Sequence, residues 1–364
     1  MSTDLQKLLN KGIFDLNPYI PGKPVEDLER EFGISNAIKL ASNENPLGPS
    51  PKAIERVKGI LSGSHRYPDG NATRLKESIS NKYKIDINQL TVGNGSNDII
   101  EFVVKTFLSR GDSAIFSKYA FAVYPLAVQT AGAEGIEVPA KDWGHDLSAI
   151  KHAIKDNTKV VFIANPNNPT GTFVPPNKVI SFLESLRKDV IIFLDQAYFD
   201  YASYENNDVD FELVNEFSNL IISRSFSKAY GLAGLRVGYS VSSIEVADYL
   251  NRVRQPFNVN SLALAAAEAA LSDNEHMMKS LKMNKEQKAV LYKGLEELGY
   301  DFIPSAGNFI CFDCKQDADK KFNELLKEGL IVRSMNVYKM QNHLRVTIGL
   351  PEENDIFLKK LAKL

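Results

Sequence analysis

Short apolar runs that recur along the chain, with stretches of helical periodicity between them, constrain its fold more than any other feature. Several runs are apolar throughout instead of alternating, which is typical of strands covered on both faces of a sheet. The runs and the helix candidates between them lie at 90–92, 98–109, 113–116, 160–163, 177–187, 190–194 and 219–222. This alternation predicts an α/β fold with a mostly parallel, helix-covered sheet.

The carboxyl-terminal part of the chain has a different pattern. Long helical patterns at 261–271 and 275–298 precede short strands near Phe309, Ile331 and Arg345, which predicts a smaller α+β domain. A chain of 364 residues also suits two domains, since domains usually have roughly 100–200 residues. We therefore expect three parts, an amino-terminal segment, a large domain and a small domain, at 1–45, 46–258 and 259–364.

The composition does not indicate binding to nucleic acid or to a membrane surface. The 43 Lys and Arg nearly balance the 45 Asp and Glu, so the formal net charge is -2 and no global field attracts a polyanion. The first seven residues lack the basic start and apolar run of a signal peptide, and no stretch has the ~20 apolar residues of a membrane helix. We expect a cytoplasmic protein in which a local site must hold any anion.

Two cysteines, Cys311 and Cys314, have the spacing of a redox pair or of half a zinc site. Cys311 continues an apolar run, whereas a thioredoxin-like pair opens a helix, and no second pair completes a zinc site. We interpret both as buried structural thiols and expect no metal site.

Polar residues that directly follow the apolar runs are the first candidates for a binding site, because parallel sheets bind ligands beyond the carboxyl ends of their strands. Asp195 follows the run 190–194. It could cap a helix or belong to a buried pair. It could also hold a cationic partner, of which a protonated pyridine nitrogen is one.

A lysine and several anion-binding groups follow the run 219–222. Lys228 is flanked by Ser225 and Ser227, and Arg236 comes eight residues later. These residues could belong to a surface loop that binds nothing. They could also supply one amine together with a phosphate site, because small residues allow the backbone to come close to a ligand.

Two further loops have the features of ligand-binding turns. The segment 93–98 follows a strand and opens a helix, which directs backbone N–H groups, including those of Ser96 and Asn97, at an anion. It lacks the third glycine of a dinucleotide fingerprint and a Walker lysine, so a small phosphorylated cofactor remains. The segment 165–171 is a rigid turn that contains proline and glycine, and it could be a loop without a binding role. A rigid turn could also hold the amide of Asn168 at a fixed position.

Taken in order, three motifs resemble the fold-type I aminotransferases that depend on pyridoxal 5'-phosphate. They are Asn-Pro-x-Asn-Pro-Thr-Gly at 165–171, Asp-x-Ala-Tyr at 195–198, and Ser-x-Ser-Lys-x-x-x-Leu-Ala-Gly-Leu-Arg-x-Gly at 225–238. The set spans most of the chain and is specific in combination. More narrowly, the chain resembles the histidinol-phosphate aminotransferases at 17–23, 43–48 and 66–69.

The resemblance implies a role for each matching residue around the cofactor ring. Lys228 would carry the cofactor as a Schiff base and, when released, move the proton. Asp195 would pair with the pyridinium nitrogen. Asn168 and Tyr198 would hydrogen-bond the phenolic oxygen of the ring, and Phe121 would stack on the ring.

The resemblance also implies the residues at the two anionic ends of the site. The cofactor phosphate would be held by Tyr67 of the neighbouring subunit of a homodimer and by Ser96, Asn97, Ser225, Ser227 and Arg236. The segment 1–45 would contribute to the small domain and to dimer contacts. The substrate would be bound by Arg345, which clamps a carboxylate, and by Tyr19, Asn168 and Arg333.

The reaction implied is the transfer of an amino group from L-histidinol phosphate to 2-oxoglutarate in histidine biosynthesis, which gives imidazole acetol phosphate and glutamate. An aromatic amino-acid aminotransferase or a threonine-phosphate decarboxylase would display nearly the same residues, and a non-catalytic cofactor-binding regulator is the alternative from a different class. Two positions depart from the family pattern, with Gln196 in place of Glu and Asn97 in place of an acidic residue, and neither position takes part in covalent chemistry.

Overall fold

The computed structural model describes residues 5–14, 16–18, 22–205 and 211–364. The strands in these ranges are β1 Ile38–Lys39, β2 Leu90–Gly93, β3 Ser113–Ser117, β4 Glu134–Val138, β5 Thr158–Ala164, β6 Ile191–Asp195, β7 Leu220–Ser225, β8 Gly238–Ser242, β9 Phe302–Ile303, β10 Phe309–Asp313, β11 Leu330–Ile331, β12 Arg333–Ser334 and β13 His343–Thr347.

The α-helices in the same ranges alternate with these strands in the first two thirds of the chain. They are α1 Lys11–Phe14, α2 Val25–Phe32, α3 Pro51–Ile60, α4 Thr73–Tyr83, α5 Ser96–Phe107, α6 Val123–Thr130, α7 Leu147–His152, α8 Pro176–Glu184, α9 Phe199–Ser203, α10 Leu213–Glu216, α11 Ile244–Val253, α12 Ser261–Leu271, α13 Asn274–Glu297, α14 Ala318–Lys327 and α15 Pro351–Leu361. None of the helices in the described ranges is long and apolar enough to cross a membrane.

The large sheet has the strand order β2-β8-β7-β6-β5-β3-β4. β8 runs antiparallel to both of its neighbours, β2 and β7, and the other strand pairs are parallel, so the sheet is mostly parallel as predicted. All five predicted apolar runs are confirmed as the strands β2, β3, β5, β6 and β7. The sequence analysis missed β4 and β8. β4 lies at the sheet edge, and its mostly exposed sequence Glu-Gly-Ile-Glu-Val lacks the apolar run by which the other strands were predicted.

Helices cover both faces of this sheet, which explains why its strands are apolar throughout. Along β6 and β7, Ile192, Leu194 and Ile222 belong to the core on one face. Phe193 and Ile221, which alternate with them, belong to the core on the other face. Each consecutive residue therefore needs an apolar side chain.

The carboxyl-terminal part forms an antiparallel sheet of order β12-β13-β10-β9, while β1 from the amino-terminal part pairs in parallel with β11. The helices predicted at 261–271 and 275–298 are confirmed as α12 and α13, and α12 packs against α3 and α4. The division into parts at residues 45 and 258 stays a prediction. Cys311 lies on β10, and it and Cys314 are both free and buried, as expected. Burial raises the pKa of the Cys311 thiol to about 12, so it is an unreactive thiol.

Candidate active site

A cleft of about 220 Å³ lies at the carboxyl ends of β5, β6 and β7 and is closed by residues of the small sheet and of the amino-terminal segment. Most of the candidate residues predicted from sequence line this single cleft. Those that lie in loops and strands of the large sheet are Asn168, Asp195, Tyr198, Ser225, Ser227, Lys228 and Arg236. The others are Ser96, Asn97, Phe121, Arg333 and Arg345.

One of the described candidates does not line the cleft. Tyr67 is 83% exposed, and its ring stacks on that of Phe257 with the centroids 4.8 Å apart. Tyr19 lies outside the described residues. The predicted candidates that line the cleft are separated by up to 249 positions in the chain, from Ser96 to Arg345.

Asp195 ends β6 and is held by two donors. The Tyr124 hydroxyl donates to Oδ2 at 2.7 Å, and the backbone N–H of Ala197 donates to Oδ1 at 3.0 Å. The side chain is 5% exposed, and burial raises the pKa of the carboxyl although both hydrogen bonds lower it. A positively charged N–H group in the cleft would stabilise the ionised form, which burial disfavours.

Lys228 follows β7, and its Nζ donates to the backbone oxygen of Ser42 at 3.2 Å. Burial, and next the positive charge of Arg345, lower the pKa of this lysine to about 8. An amine with such a pKa has a substantial neutral fraction near neutral pH, and the neutral amine is the form that attacks a carbonyl group.

The loop before α5 and the residues after β7 form an anion cradle. Gly95 precedes the first helical residue, Ser96, with a φ of +82°, and a Cβ at Gly95 would lie 2.5 Å from Nη2 of Arg236. Nη1 of Arg236 donates to Oγ of Ser227 at 3.2 Å, and the backbone N–H of Ser227 donates to Oγ of Ser225 at 3.1 Å. A guanidinium, hydroxyls and a helix amino terminus thus meet at one place, and a phosphate group fits this set of donors.

Arg345 on β13 connects the small sheet to the turn at 165–171. Its Nη1 donates to Oδ1 of Asn168, and its Nη2 donates to the backbone oxygen of Ala41 at 2.9 Å. Its buried Nε has no partner among the described residues. Arg333 is the Cα partner of Arg345 on the neighbouring strand β12 and lines the same cleft. The two arginines give the cleft a second anion-binding region.

Asn168 has a donor left for a ligand as a consequence of its bond to Arg345. Its carbonyl oxygen is already an acceptor in that bond, whereas its NH₂ group carries two protons. The hydroxyl of Tyr198 accepts a hydrogen bond from Nδ2 of Asn43 at 2.8 Å. Burial raises the pKa of the Tyr198 phenol to about 12, so this phenol stays protonated and can donate.

Sequence reasoning missed several cleft residues or their contacts. Asn43 lies in one of the segments that carried the resemblance, but its contact with Tyr198 could not be predicted. Ser42 contributes a backbone oxygen, which any residue has. Tyr124 resembles an ordinary core residue of an apolar helix, and Tyr338, which lines the cleft from the β12–β13 connection, belongs to none of the motifs described above.

Comparison of the sequence with known proteins identifies its family. Residues 35–361 match the model of a family described as aminotransferase class I and II. The chain is 52% identical to histidinol-phosphate aminotransferase 2 of Pseudomonas fluorescens, over 100% of this chain and 99% of that protein. It is 51% identical to histidinol-phosphate aminotransferase 2 of Pseudomonas aeruginosa, over 99% and 98%.

Solved structures give the same result. Histidinol-phosphate aminotransferase from Sinorhizobium meliloti in complex with pyridoxal-5'-phosphate has a TM-score of 0.89 and 26% sequence identity, covering 98% of this chain and 96% of that one. L-threonine-O-3-phosphate decarboxylase from Porphyromonas gingivalis has a TM-score of 0.80 and 23% identity, covering 90% of this chain and 98% of that one. The second likeness shows the fold alone.

Proposed function

This chain belongs to the class I and II aminotransferases, and we propose that it transfers the amino group of L-histidinol phosphate to 2-oxoglutarate, giving imidazole acetol phosphate and glutamate. The observation that carries the proposal is one cleft in which Lys228 and Asp195 lie together with two arginines of the small sheet, Arg333 and Arg345. Relatives that are about half identical over their whole length are named histidinol-phosphate aminotransferases.

Pyridoxal 5'-phosphate fits the groups that line the cleft. The cradle formed by Ser96, Ser227 and Arg236 suits its phosphate, and the buried carboxylate of Asp195 suits a protonated ring nitrogen. The NH₂ group of Asn168 and the hydroxyl of Tyr198 are donors for its phenolic oxygen. When bound, the cofactor supplies an electron-withdrawing ring that acidifies the C–H bond next to the donor's amino group.

The residues of the chain then divide the remaining work. Asp195 keeps a proton on the ring nitrogen, and Phe121 lines the cleft as an apolar face for the ring. Lys228 removes the proton of the C–H bond next to the donor's amino group, because an amine with a pKa of about 8 can both accept and release a proton near neutral pH. Arg345 orients the anionic end of the amino donor or of 2-oxoglutarate.

The proposed function is tested by assaying the purified enzyme with histidinol phosphate, phenylalanine, tyrosine and threonine phosphate, each against 2-oxoglutarate. Histidinol phosphate should give the highest kcat/KM. A preference for phenylalanine would identify an aromatic amino-acid aminotransferase. Release of carbon dioxide from threonine phosphate would identify a decarboxylase, and cofactor binding without turnover of any donor would identify a regulator.

Arg333 should distinguish phosphorylated from unphosphorylated donors. A phosphate ester has more charge and more acceptor oxygens than a carboxylate, so it can use Arg333 and Arg345 together, with Tyr19 as a further donor. We predict that Arg333→Ala lowers kcat/KM far more for histidinol phosphate than for phenylalanine. The two losses of transition-state stabilisation should differ by about 1.5–3 kcal/mol. Arg252→Ala, which removes an exposed arginine paired with Asp248, is the control and should affect both donors equally. Equal losses for both donors in Arg333→Ala would show that Arg333 does not bind the phosphate of the donor.

We infer that the enzyme is a homodimer in which Tyr67 completes the cofactor site of the neighbouring subunit. The support is the family resemblance around 66–69 together with the exposure of this large aromatic side chain, which projects outside the cleft of its own chain. A phenol that reaches the neighbour's phosphate would lose most of that exposure in the dimer.

A subunit-complementation experiment tests this inference. Tyr67→Ala and Lys228→Ala homodimers should each have strongly reduced turnover. Mixing them under subunit exchange should restore activity, because one site of each mixed dimer then has both an intact Lys228 and an intact Tyr67. Activity is measured against unmixed controls, with exchange verified by mass-tagged chains. No recovery despite complete exchange would place Tyr67 outside the neighbour's site.

A cytoplasmic location, and the contribution of residues 1–45 to dimer contacts, stay predictions from sequence.

A further inference from the structure

We propose that Asn43 is a positioning residue that directs the hydroxyl proton of Tyr198 into the cleft and thereby sets the protonation state of the cofactor bound at Lys228. The proposal rests on the proposed function, because it requires pyridoxal 5'-phosphate in the cleft. It adds a role for a residue that does not itself take part in the proposed proton transfer.

The hydrogen bond between Asn43 and Tyr198 determines where the hydroxyl proton goes. Nδ2 of Asn43 donates to the Tyr198 oxygen at 2.8 Å. A phenol has a single proton, and a hydroxyl that accepts from a neighbour on one side directs its own proton elsewhere. Tyr198 lines the cleft beside Lys228, whose Nζ is 5.5 Å from the centroid of the Tyr198 ring. The remaining donor direction therefore serves a ligand in the cleft.

Asn43 is held so that its NH₂ group, and not its carbonyl oxygen, faces Tyr198. The backbone N–H of Asn43 donates to Oγ1 of Thr347 at 2.9 Å, and the Thr347 hydroxyl donates in turn to Oδ1 of Asn43 at 3.4 Å. Nδ2 of Asn308 donates to the backbone oxygen of Asn43 at 3.0 Å. Asn43 is 1% exposed and fixed from several directions.

These bonds also connect the two sheets through Asn43. Thr347 ends β13 of the small sheet, whereas Tyr198 follows β6 of the large sheet. Asn43 has a φ of +55°, a conformation in which asparagine is among the favoured residues other than glycine. The position of the Tyr198 donor thus depends on contacts from both sheets.

The chemical consequence follows from the strength of the donor. Burial raises the pKa of the Tyr198 phenol to about 12, whereas the hydrogen bond from Asn43 lowers it and so makes the phenol a better donor. A strong donor to the cofactor's phenolic oxygen stabilises negative charge there. With the cofactor bound, the nitrogen at Lys228 would then release its proton at lower pH.

The test is a pH titration of the cofactor's visible absorbance in the loaded enzyme. Asn43→Gly removes the side chain without straining a backbone at positive φ, and it should raise the midpoint by about one pH unit, the equivalent of one ordinary hydrogen bond. Asn43→Asp keeps the shape of the side chain but replaces the donor with an acceptor. The Tyr198 hydroxyl would then donate to this carboxylate and not into the cleft, so the midpoint should rise further.

A double-mutant cycle separates positioning from a general structural effect. In a Tyr198→Phe enzyme the receiving hydroxyl is absent, so Asn43→Gly should cause no additional shift of the midpoint. The matched control is Asn354→Ala. Asn354 is fully buried and bonds Gln287 and the backbone of Gly349, away from the cleft, so its loss should reduce stability and leave the midpoint unchanged.

The outcomes that would overturn the proposal differ from those that would overturn the function. An unchanged midpoint in folded Asn43→Gly or Asn43→Asp, or a full additional shift in the Tyr198→Phe background, would show that Asn43 does not act through Tyr198. Absence of a pH-dependent visible band in the unmutated enzyme with pyridoxal 5'-phosphate would instead contradict the proposed function.

Discussion

Lys228→Ala should abolish measurable transamination, with turnover reduced about 10³-fold or more, because the variant loses both the amine that binds the cofactor covalently and the group that moves the proton. Borohydride treatment of the unmutated enzyme should fix the mass of the cofactor on the peptide that contains Lys228. The adduct is measured by peptide mass spectrometry, and turnover is measured with histidinol phosphate and 2-oxoglutarate together.

Lys76 provides a matched control for this experiment. Burial, and next the charge of Arg254, lower its pKa to about 8, as for Lys228, yet it does not line the cleft. In the cofactor-free enzyme a general amine reagent should therefore modify both lysines, whereas in the loaded enzyme the borohydride-fixed cofactor should appear on Lys228 alone. Recovery of the adduct on Lys76, or normal turnover in Lys228→Ala, would contradict the assignment of Lys228.

Much of the large sheet could be predicted because its strands are buried on both faces and leave uninterrupted apolar runs. The position of Asp195 followed from the same physics, since a carboxylate after five apolar residues must emerge at the edge of the sheet. The edge strand β4 could not be predicted so easily, because it alternates polar and apolar residues over only five positions.

The contacts that orient the site were beyond sequence reasoning. Asn43 meets Tyr198 across 155 residues of chain, and Arg345 meets Asn168 across 177. Such contacts depend on how the small sheet packs against the large one, for which no local periodicity or spacing is a signal. The motifs predicted side chains that lie together in one cleft, whereas the packing determines which of their donors remain available to a ligand.

The side chain of Gln196, one of the two departures from the family pattern, bonds a buried arginine. Its Oε1 accepts a hydrogen bond from Nε of Arg224 at 3.0 Å, and the guanidinium of Arg224 lies between the rings of Phe199 and Phe211, 3.4 and 3.8 Å from their centroids. A neutral amide supplies the acceptor that this arginine needs. Gln196 is buried and does not line the cleft, so the substitution leaves the proposed chemistry intact.

Asp195→Asn should retain cofactor binding but lower kcat by about 10²–10³-fold, because the variant keeps the shape of the side chain and loses the charge that holds a proton on the ring nitrogen. Without that proton the ring withdraws electrons less strongly, and the C–H bond next to the donor's amino group becomes less acidic. Single-turnover kinetics with histidinol phosphate measure the loss, and cofactor titration of the apoenzyme verifies binding.

The substitution also disturbs the two donors that now bind Asp195, since an amide offers one acceptor oxygen to the hydroxyl of Tyr124 and the N–H of Ala197. Tyr124→Phe separates this effect from the loss of charge: it removes one donor and leaves the carboxylate ionisable. Its kcat should fall by no more than about tenfold, the equivalent of one hydrogen bond. If Asp195→Asn and Tyr124→Phe lose the same activity, the charge of Asp195 has no special role. A larger loss in Asp195→Asn alone assigns the effect to electrostatic support of the ring nitrogen.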